Sequence, residues 1–478
     1  MPIAPSRRRF VKQVVTTTIL PSLPWTVSSA AVSLPWHEQL ASKAKQLTNG
    51  QPLKLLVPEG SQANVKAATD EFTRLSSVVC EIEAVAVDDI NVELILRTST
   101  GDASVDVALP ATFGLTNLVQ ARAIRALDDF AAQHEPENLN DGYLYRKGDR
   151  YRGKLYGYQT DGDAYLLFYN KAMLLDPDAQ QAYLEQTGMP LAPARTWQEL
   201  DSMMAFFHKP DQNQYGGSLF RNPNYLVWEW WARFHANAQL PFSADMSVNI
   251  NNSDGVAALE ELIAATRSLS PGSLTNGLFD NWEDFGRGNV FCNIGWGGTQ
   301  KYLMSQPHMA NNLIHSPLPG PPVNGEPSSM GYFNWGWNYT VSALSTQPEL
   351  AYLLALFSVS PTVSILAVRE PQGFFDPFHE CHYDDEEIRQ VYGSSFLEAH
   401  EQSLSRSLPD LYISGQSNYL DELRQYILSA LNKDLSAKEA LDTCAQRWAH
   451  ITRRMGHKSQ TQQWLQLVNG YPAGLELR

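Results

Sequence analysis
Indoles, phenols and carboxylates are the side chains of this sequence whose spacing can do chemistry. There are 12 Trp and 20 Tyr, and they cluster. Trp228-Glu229-Trp230-Trp231 puts three indoles on one helical turn. Neighbours on a helix diverge by ~100°, so they cannot all face one core. Trp228 is the candidate for a binding surface; the alternative is an amphipathic core helix. Trp335, Trp337 and Tyr339 alternate with period two and would share one face of a strand. Trp296 sits in Gly295-Trp296-Gly297-Gly298, where the glycines let a ligand or another backbone come close. Asp161-Gly162-Asp163 pairs two acids that could accept hydrogen bonds from vicinal hydroxyls, and ionised acceptors make the stronger bonds. The same tripeptide is also a good turn. Flat rings for apolar C–H faces and carboxylates for hydroxyls are what a sugar or another polyol requires of a site.

Other chemistries find less support. Gly-x-Ser-x-Gly, His-Glu-x-x-His, a P-loop and a dinucleotide fingerprint are all missing. Glycosidases use two carboxylates at set separations across the substrate, which acids at i and i+2 rarely meet. A periplasmic glycoside hydrolase using Asp161 and Asp163 is therefore the second reading, and no catalytic residue is expected. His379, Cys381 and His382 precede Asp384, Asp385, Glu386 and Glu387. His-x-Cys-His is not a recognisable zinc spacing. Acids near the positive end of a solvated helix explain the run better, so neither metal nor cofactor is expected.

The elements that must position these residues follow from periodicity. Residues 34–50 form a polar amphipathic leader. Residues 52–58, Pro-Leu-Lys-Leu-Leu-Val-Pro, read as a short buried strand. Val65, Ala68, Phe72 and Leu75 recur at helical spacing over 63–75; residues 81–87 and 105–109 read as further strands. Strands alternating with helices imply βαβ units and a mostly parallel sheet. Glu59, Ser61 and Gln62 follow the first strand and open a helix, where N–H groups suit an oxygen-rich ligand, although Ser61 also serves as a simple cap. Thr112 and Phe113 follow the third strand at the same carboxyl edge, where open α/β sheets bind ligands. Residues 255–269, with Asp254 placed to cap them, 348–357 and 419–431 read as helices. An early sheet-and-helix pattern followed by a helix-rich aromatic middle suggests two lobes.

Charge and export signals narrow the setting. Ser6-Arg7-Arg8-Arg9-Phe10-Val11-Lys12, an apolar stretch to Leu20 and small residues to Ala31 resemble a twin-arginine signal peptide, residues 1–30, with cleavage after Ala30. The formal net charge is −15; those 30 residues carry four cations and no acid, so the mature chain would stand at −19. So acidic a chain should repel nucleic acid and anionic membranes. No apolar run reaches the ~18–20 residues of a membrane span. Cys80, Cys292, Cys381 and Cys444 lie far from the signal, so no lipid anchor is expected; disulfides and free thiols stay equally open.

Several segments, in order over about residues 52–455, resemble the extracellular solute-binding protein family of ABC transporters that includes maltose-binding protein. Residues 156–171, ending in an apolar run and Tyr-Asn-Lys, resemble its first crossover. Arg195-Thr196-Trp197-Gln198-Glu199-Leu200 is similar to its helix start, and Ile294-Gly295-Trp296 to the strand before its second crossover, Pro317-Leu318-Pro319-Gly320. Gly336-Trp337, then Pro348-Glu349-Leu350-Ala351, resembles its Gly-Trp strand and following helix, and residues 409–419 its late loop. Gly-Phe-Phe-Asp-Pro-Phe at 373–378, with the histidines after it, departs from the pattern.

The resemblance implies an α/β fold of the type II periplasmic-binding-protein kind, with hinge strands and ligand held between lobes. Lobe one would be 51–157 with 316–370, lobe two 158–315 with 371–478. Trp337 matches the family's cleft tryptophan. The ligand-binding set is then Glu59, Ser61, Gln62, Thr112, Phe113, Asp161, Asp163, Trp228, Trp296, Trp335, Trp337, Asn338, Tyr412 and Tyr419. The implied protein is a soluble periplasmic monomer that captures a sugar or polyol for inner-membrane permease subunits. A sensor subunit that signals without transport would read the same.

Overall fold
The computed structural model describes residues 35–477; the basic leader and its expected cleavage site lie outside them. Its strands are β1 (Leu53–Pro58), β2 (Cys80–Val85), β3 (Val107–Ala108), β4 (Gly157–Gln159), β5 (Leu166–Asn170), β6 (Tyr215–Ser218), β7 (Val290–Gly295), β8 (Leu313–Val323), β9 (Glu326–Phe333), β10 (Asn338–Val341) and β11 (Ser407–Pro409). These form two large sheets, ordered β2-β1-β3-β10-β4 and β11-β9-β8-β5-β7-β6, and a separate two-stranded hairpin pairs Arg150–Tyr151 with Lys154–Leu155.

β1 reads as a continuous apolar run because it is interior: Leu53, Leu55, Leu56 and Val57 are buried. The helix Gln62–Ser76 then turns Val65, Ala68 and Phe72 inward. The polar amphipathic stretch after the expected signal contains the helix Trp36–Leu47, whose Leu40, Ala41 and Ala44 are buried and which packs on the helix Pro348–Ser358. Residues 253–265 are helical as expected, but Asn252 caps them: its Oδ1 accepts the Gly255 N–H at 2.8 Å. Asp254 lies two residues too far along to be the cap. It stands in the first turn, where its charge faces the positive helix end.

The sheets are mixed, where a mostly parallel one was expected. β1 pairs in parallel with β2 and β3, β6 with β7, and β9 with β11; the other pairs are antiparallel. Strands delivered by a crossover helix enter parallel, whereas hairpin partners and strands arriving from the other sheet enter from the opposite end. The chain passes from the first sheet to the second between β4 and β5, and returns between β9 and β10. Sheet membership therefore places residues 313–333 with the second sheet, and the return at 334–337 rather than at 316. A third passage follows the helix Pro361–Arg369, which packs on Gln62–Ser76, and precedes Ser394–Ser405, which packs on β8 and β9. Among the described residues no single helix is long and apolar enough to cross a membrane, and the four cysteines are unpaired.

Candidate functional site
Where the chain crosses between sheets, rings from several elements converge. Trp335 and Trp337 come from the return crossing, Trp296 from the turn after β7, Trp228 and Tyr225 from the start of the helix Leu226–Ala236, and Phe113 from the turn after β3. Trp335 is the hub. Its ring lies 5.6 Å from Phe113, 5.7 Å from Tyr225, 5.4 Å from Trp228, 5.7 Å from Trp296 and 5.9 Å from Trp337. Trp228, Trp296, Trp335 and Trp337 are only 5%, 4%, 4% and 2% exposed, so the rings close on one another. Trp337 pairs with Ala111 and runs directly into β10 with Tyr339, whereas Trp335 falls outside that strand because Gly336 takes φ +71° between the two indoles.

The three indoles of 228–231 diverge as the helical period requires. Trp228 joins the cluster; Trp230, bonded to the Gly255 carbonyl at 3.2 Å, and Trp231 are core. Glu229 between them is buried in an ion-pair network, accepting from Arg221 at 2.5 and 3.1 Å and from Arg233 at 3.0 Å, while Arg233 grips Asp201 twice at 2.7 Å. Burial pushes the Glu229 carboxyl up, but the two guanidinium groups outweigh it and hold it below its ordinary value.

Beside the rings sit three buried carboxylates, Asp161, Asp163 and Asp376, with one oxygen of each within 4.8 Å of the others. Asp161 Oδ1 accepts the Asp376 N–H at 2.6 Å. Asp376 accepts the Gly297 N–H at 2.7 Å and the Tyr392 hydroxyl at 3.0 Å, and Asp163 the Gly336 N–H at 3.0 Å. The glycines are needed for this approach: a Cβ on Gly297 would stand 2.0 Å from Asp376 Oδ1, and one on Gly162 1.9 Å from the Pro377 carbonyl. Burial, then mutual repulsion, pushes Asp161 and Asp163 well above the usual carboxylate range; burial raises Asp376 to about 6. Lys301 is the nearby cation, yet its Nζ donates to the carbonyls of Val368, Glu370 and Phe375 at 2.8–3.2 Å and to no carboxylate.

A cavity lined by Val87, Asp163, Leu278, Trp282, Trp296, Gly298, Trp335, Trp337 and Phe374 remains, with room for water-sized spheres over only ≈ 20 Å³, about one water. Two lining residues, Trp282 and Trp335, keep buried indole N–H groups without a protein partner; behind the wall, Asn334 Nδ2 (its Oδ1 bonded to the Trp296 indole), Thr160 Oγ1 and Asp161 Oδ2 are also unpartnered. Buried polar atoms are ordinarily satisfied, and orphans gathered around a cavity ask for a polar occupant.

The other expected residues divide. Phe113 belongs to the cluster. Glu59 is exposed and Gln62 accepts the Gly60 N–H at 2.6 Å; a Cβ on Gly60 would run into the Phe374 ring, so this turn borders the cavity wall. Ser61 is buried and donates to the Pro58 carbonyl at 2.7 Å, with no side-chain capping bond. Thr112 and Asn338 are consumed by the frame: Thr112 Oγ1 donates to Asn338 Oδ1 at 2.6 Å, and Asn338 Nδ2 to Asp149 at 2.8 Å. Tyr412 lines a different pocket, with Lys147, Arg150 and Arg152. Tyr419 is core, its hydroxyl 2.8 Å from Thr452 Oγ1. The nitrogens of His379 and His382 are engaged with Asp141, Cys381, Ser364 and Phe378. Sequence reasoning missed Trp282, Asn334, Phe374, Asp376 and Lys301. One signal was visible: residues 373–378, which supply Phe374 and Asp376, are the stretch that departs from the family pattern.

No protein-family profile and no curated protein matches the sequence. Solved structures do. The maltose-bound MalE3 of T. maritima is 16% identical, with a TM-score of 0.68 over 84% of this chain and 100% of that one. An ABC-transporter solute-binding protein of Agrobacterium radiobacter in complex with ribitol is 16% identical, with a TM-score of 0.69 over 84% and 99%. Another from Thermotoga lettingae, bound with α-D-tagatose, is 17% identical, with a TM-score of 0.67 over 84% and 99%. These neighbours share a two-lobe α/β fold, and this chain has it.

Proposed function
We propose that this chain, which has the two-lobe fold of the ABC-type solute-binding proteins, captures a sugar or polyol between its lobes and delivers it to a membrane permease. The observation that carries the reading is the cavity at the crossings, where rings from both sides meet the Asp163 carboxyl, two orphaned indole N–H groups and, behind the wall, two further acids. Rings supply surface for C–H faces, and the orphans include donors and acceptors in the mixture hydroxyl groups satisfy. The structural neighbours carrying maltose, ribitol and tagatose support the same class. The packed rings describe a closed arrangement, so loading requires the lobes to part by hinge bending. In this reading the protein works in the periplasm as a monomer, exported by the twin-arginine route, and catalyses nothing.

A thermal-shift screen of purified protein against sugars, polyols and amino acids tests it. A ligand present at a hundred times its Kd stabilises by about 2.7 kcal/mol by mass action, a readable rise in melting temperature. Response to amino acids alone would refute it.

A further inference from the structure
The walls of the cavity meet at steep angles. Trp296 and Trp335 cross at 80°, Trp335 and Trp337 at 58°, and Trp282 and Phe374 at 79°. A sugar stacks on one flat ring, whereas steeply crossed rings line the cavity with faces and edges together. The electron-rich faces among them attract a compact cation. The polar member of the wall is a carboxylate, Asp163, with Asp161 and Asp376 behind it. Asp163 hydrogen-bonds to Asp161 and to Asp376, and the trio accepts from the N–H groups of Gly297, Gly336 and Asp376 and from the Tyr392 hydroxyl; none of these partners is a cation. Lys301 is the one nearby cation: its ammonium donates to three backbone carbonyls, and its charge still acts on Asp376 and Asp161. Three carboxyls therefore share one buried cation, and burial leaves the surplus acids to neutralise by holding protons, which a cationic partner can replace.

We propose that the captured solute is a hydroxylated molecule bearing an ammonium group, an amino sugar or amino polyol, with its nitrogen held among Trp296, Trp335 and Trp337 against Asp163 and its hydroxyls on the orphaned Trp282 and Trp335 donors. This rests on the solute-capture reading and narrows it. Burial and mutual repulsion, which keep protons on the empty site, act in the same direction, since an arriving cation displaces them. The titratable groups that face the trio, besides its own members, are Lys301, Tyr392, Tyr383 and, through the Gly162 carbonyl, His400.

Calorimetric titration of the full chain with matched pairs tests it: D-glucosamine against D-glucose and N-acetyl-D-glucosamine, and D-glucamine against D-glucitol. The aminated member is expected to bind at least tenfold more tightly than its neutral partner. Asp163→Asn should erase that preference, Trp335→Phe should keep it, and Trp335→Leu should lose most of it, with melting temperature measured on each variant to confirm folding. Equal or tighter binding of the neutral members overturns the inference and leaves sugar capture standing. Failure of every amine and every neutral sugar to bind or raise the melting temperature overturns the capture reading itself. A preference for amines that survives Asp163→Asn in a folded variant overturns the assignment to this carboxylate.

Discussion

Replacing Trp335 by alanine should open the ligand-free protein rather than merely loosen it. Trp335 lies on the crossing segment and touches Tyr225, Trp228 and Trp296, all delivered by elements around the second sheet, at 5.7, 5.4 and 5.7 Å. Aromatic pairs contribute ~0.5–1.5 kcal/mol each beyond the area they bury. Three pairs together come to about 3 kcal/mol, and 1.4 kcal/mol is a tenfold change, so the open-to-closed ratio should shift by roughly a hundredfold. That is large against the few kcal/mol that separate hinge conformers. The assay is small-angle scattering of the empty protein, with tryptophan emission as a second reading. Radius of gyration should rise and emission should shift to the red as the remaining indoles meet water. Trp230→Ala is the control, on the same helix as Trp228 but in the core; it should cost ~3–5 kcal/mol of unfolding free energy and leave the radius unchanged. If Trp335→Ala behaves like that control, the ring cluster is fold core and does not hold the lobes closed.

Other outcomes follow from buried charge. Glu229→Gln leaves Arg221 and Arg233 buried with an incomplete partner and should cost about 3–5 kcal/mol in chemical denaturation without changing ligand affinity; a loss under 1 kcal/mol would show that water reaches the network. Asp376 sits at about 6 in the folded protein against an ordinary 3.8, so the folded state holds a proton that the unfolded chain has released. Stability from this group is full below pH 4 and falls as pH rises through 6, by about 3 kcal/mol at 1.36 per unit. Asp376→Asn should therefore gain on the wild type between pH 4 and pH 7, and an unchanged difference across that range would refute the sign. No oligosaccharide the protein binds should be hydrolysed; steady release of reducing ends, lost in Asp161→Asn, would make it an enzyme. Lysines in place of Arg7 and Arg8 should block export, and normal processing of that precursor would remove the twin-arginine assignment.

Local order was legible from the chain. β1 between its prolines, the helix Gln62–Ser76 and the divergence of Trp228 from Trp230 and Trp231 are set by periodicity, which acts over a few residues and needs no tertiary information. The aromatic and acidic character of the site was legible too, since Asp161, Asp163, Trp228, Trp296, Trp335 and Trp337 all reach it. Its closure and its missing members were not. Asp376 lies 215 residues from the Asp161 carboxylate that accepts its N–H, and Phe374 reaches the cavity from a loop with no periodic signal. Thr112 and Asn338, 226 residues apart, spend their polar atoms on the frame, while Tyr419 settles into helical core. Composition states which groups a chain carries. Whether each is spent on the frame or left free for a solute depends on what the fold places within about 3 Å of it, and only the tertiary structure decides that.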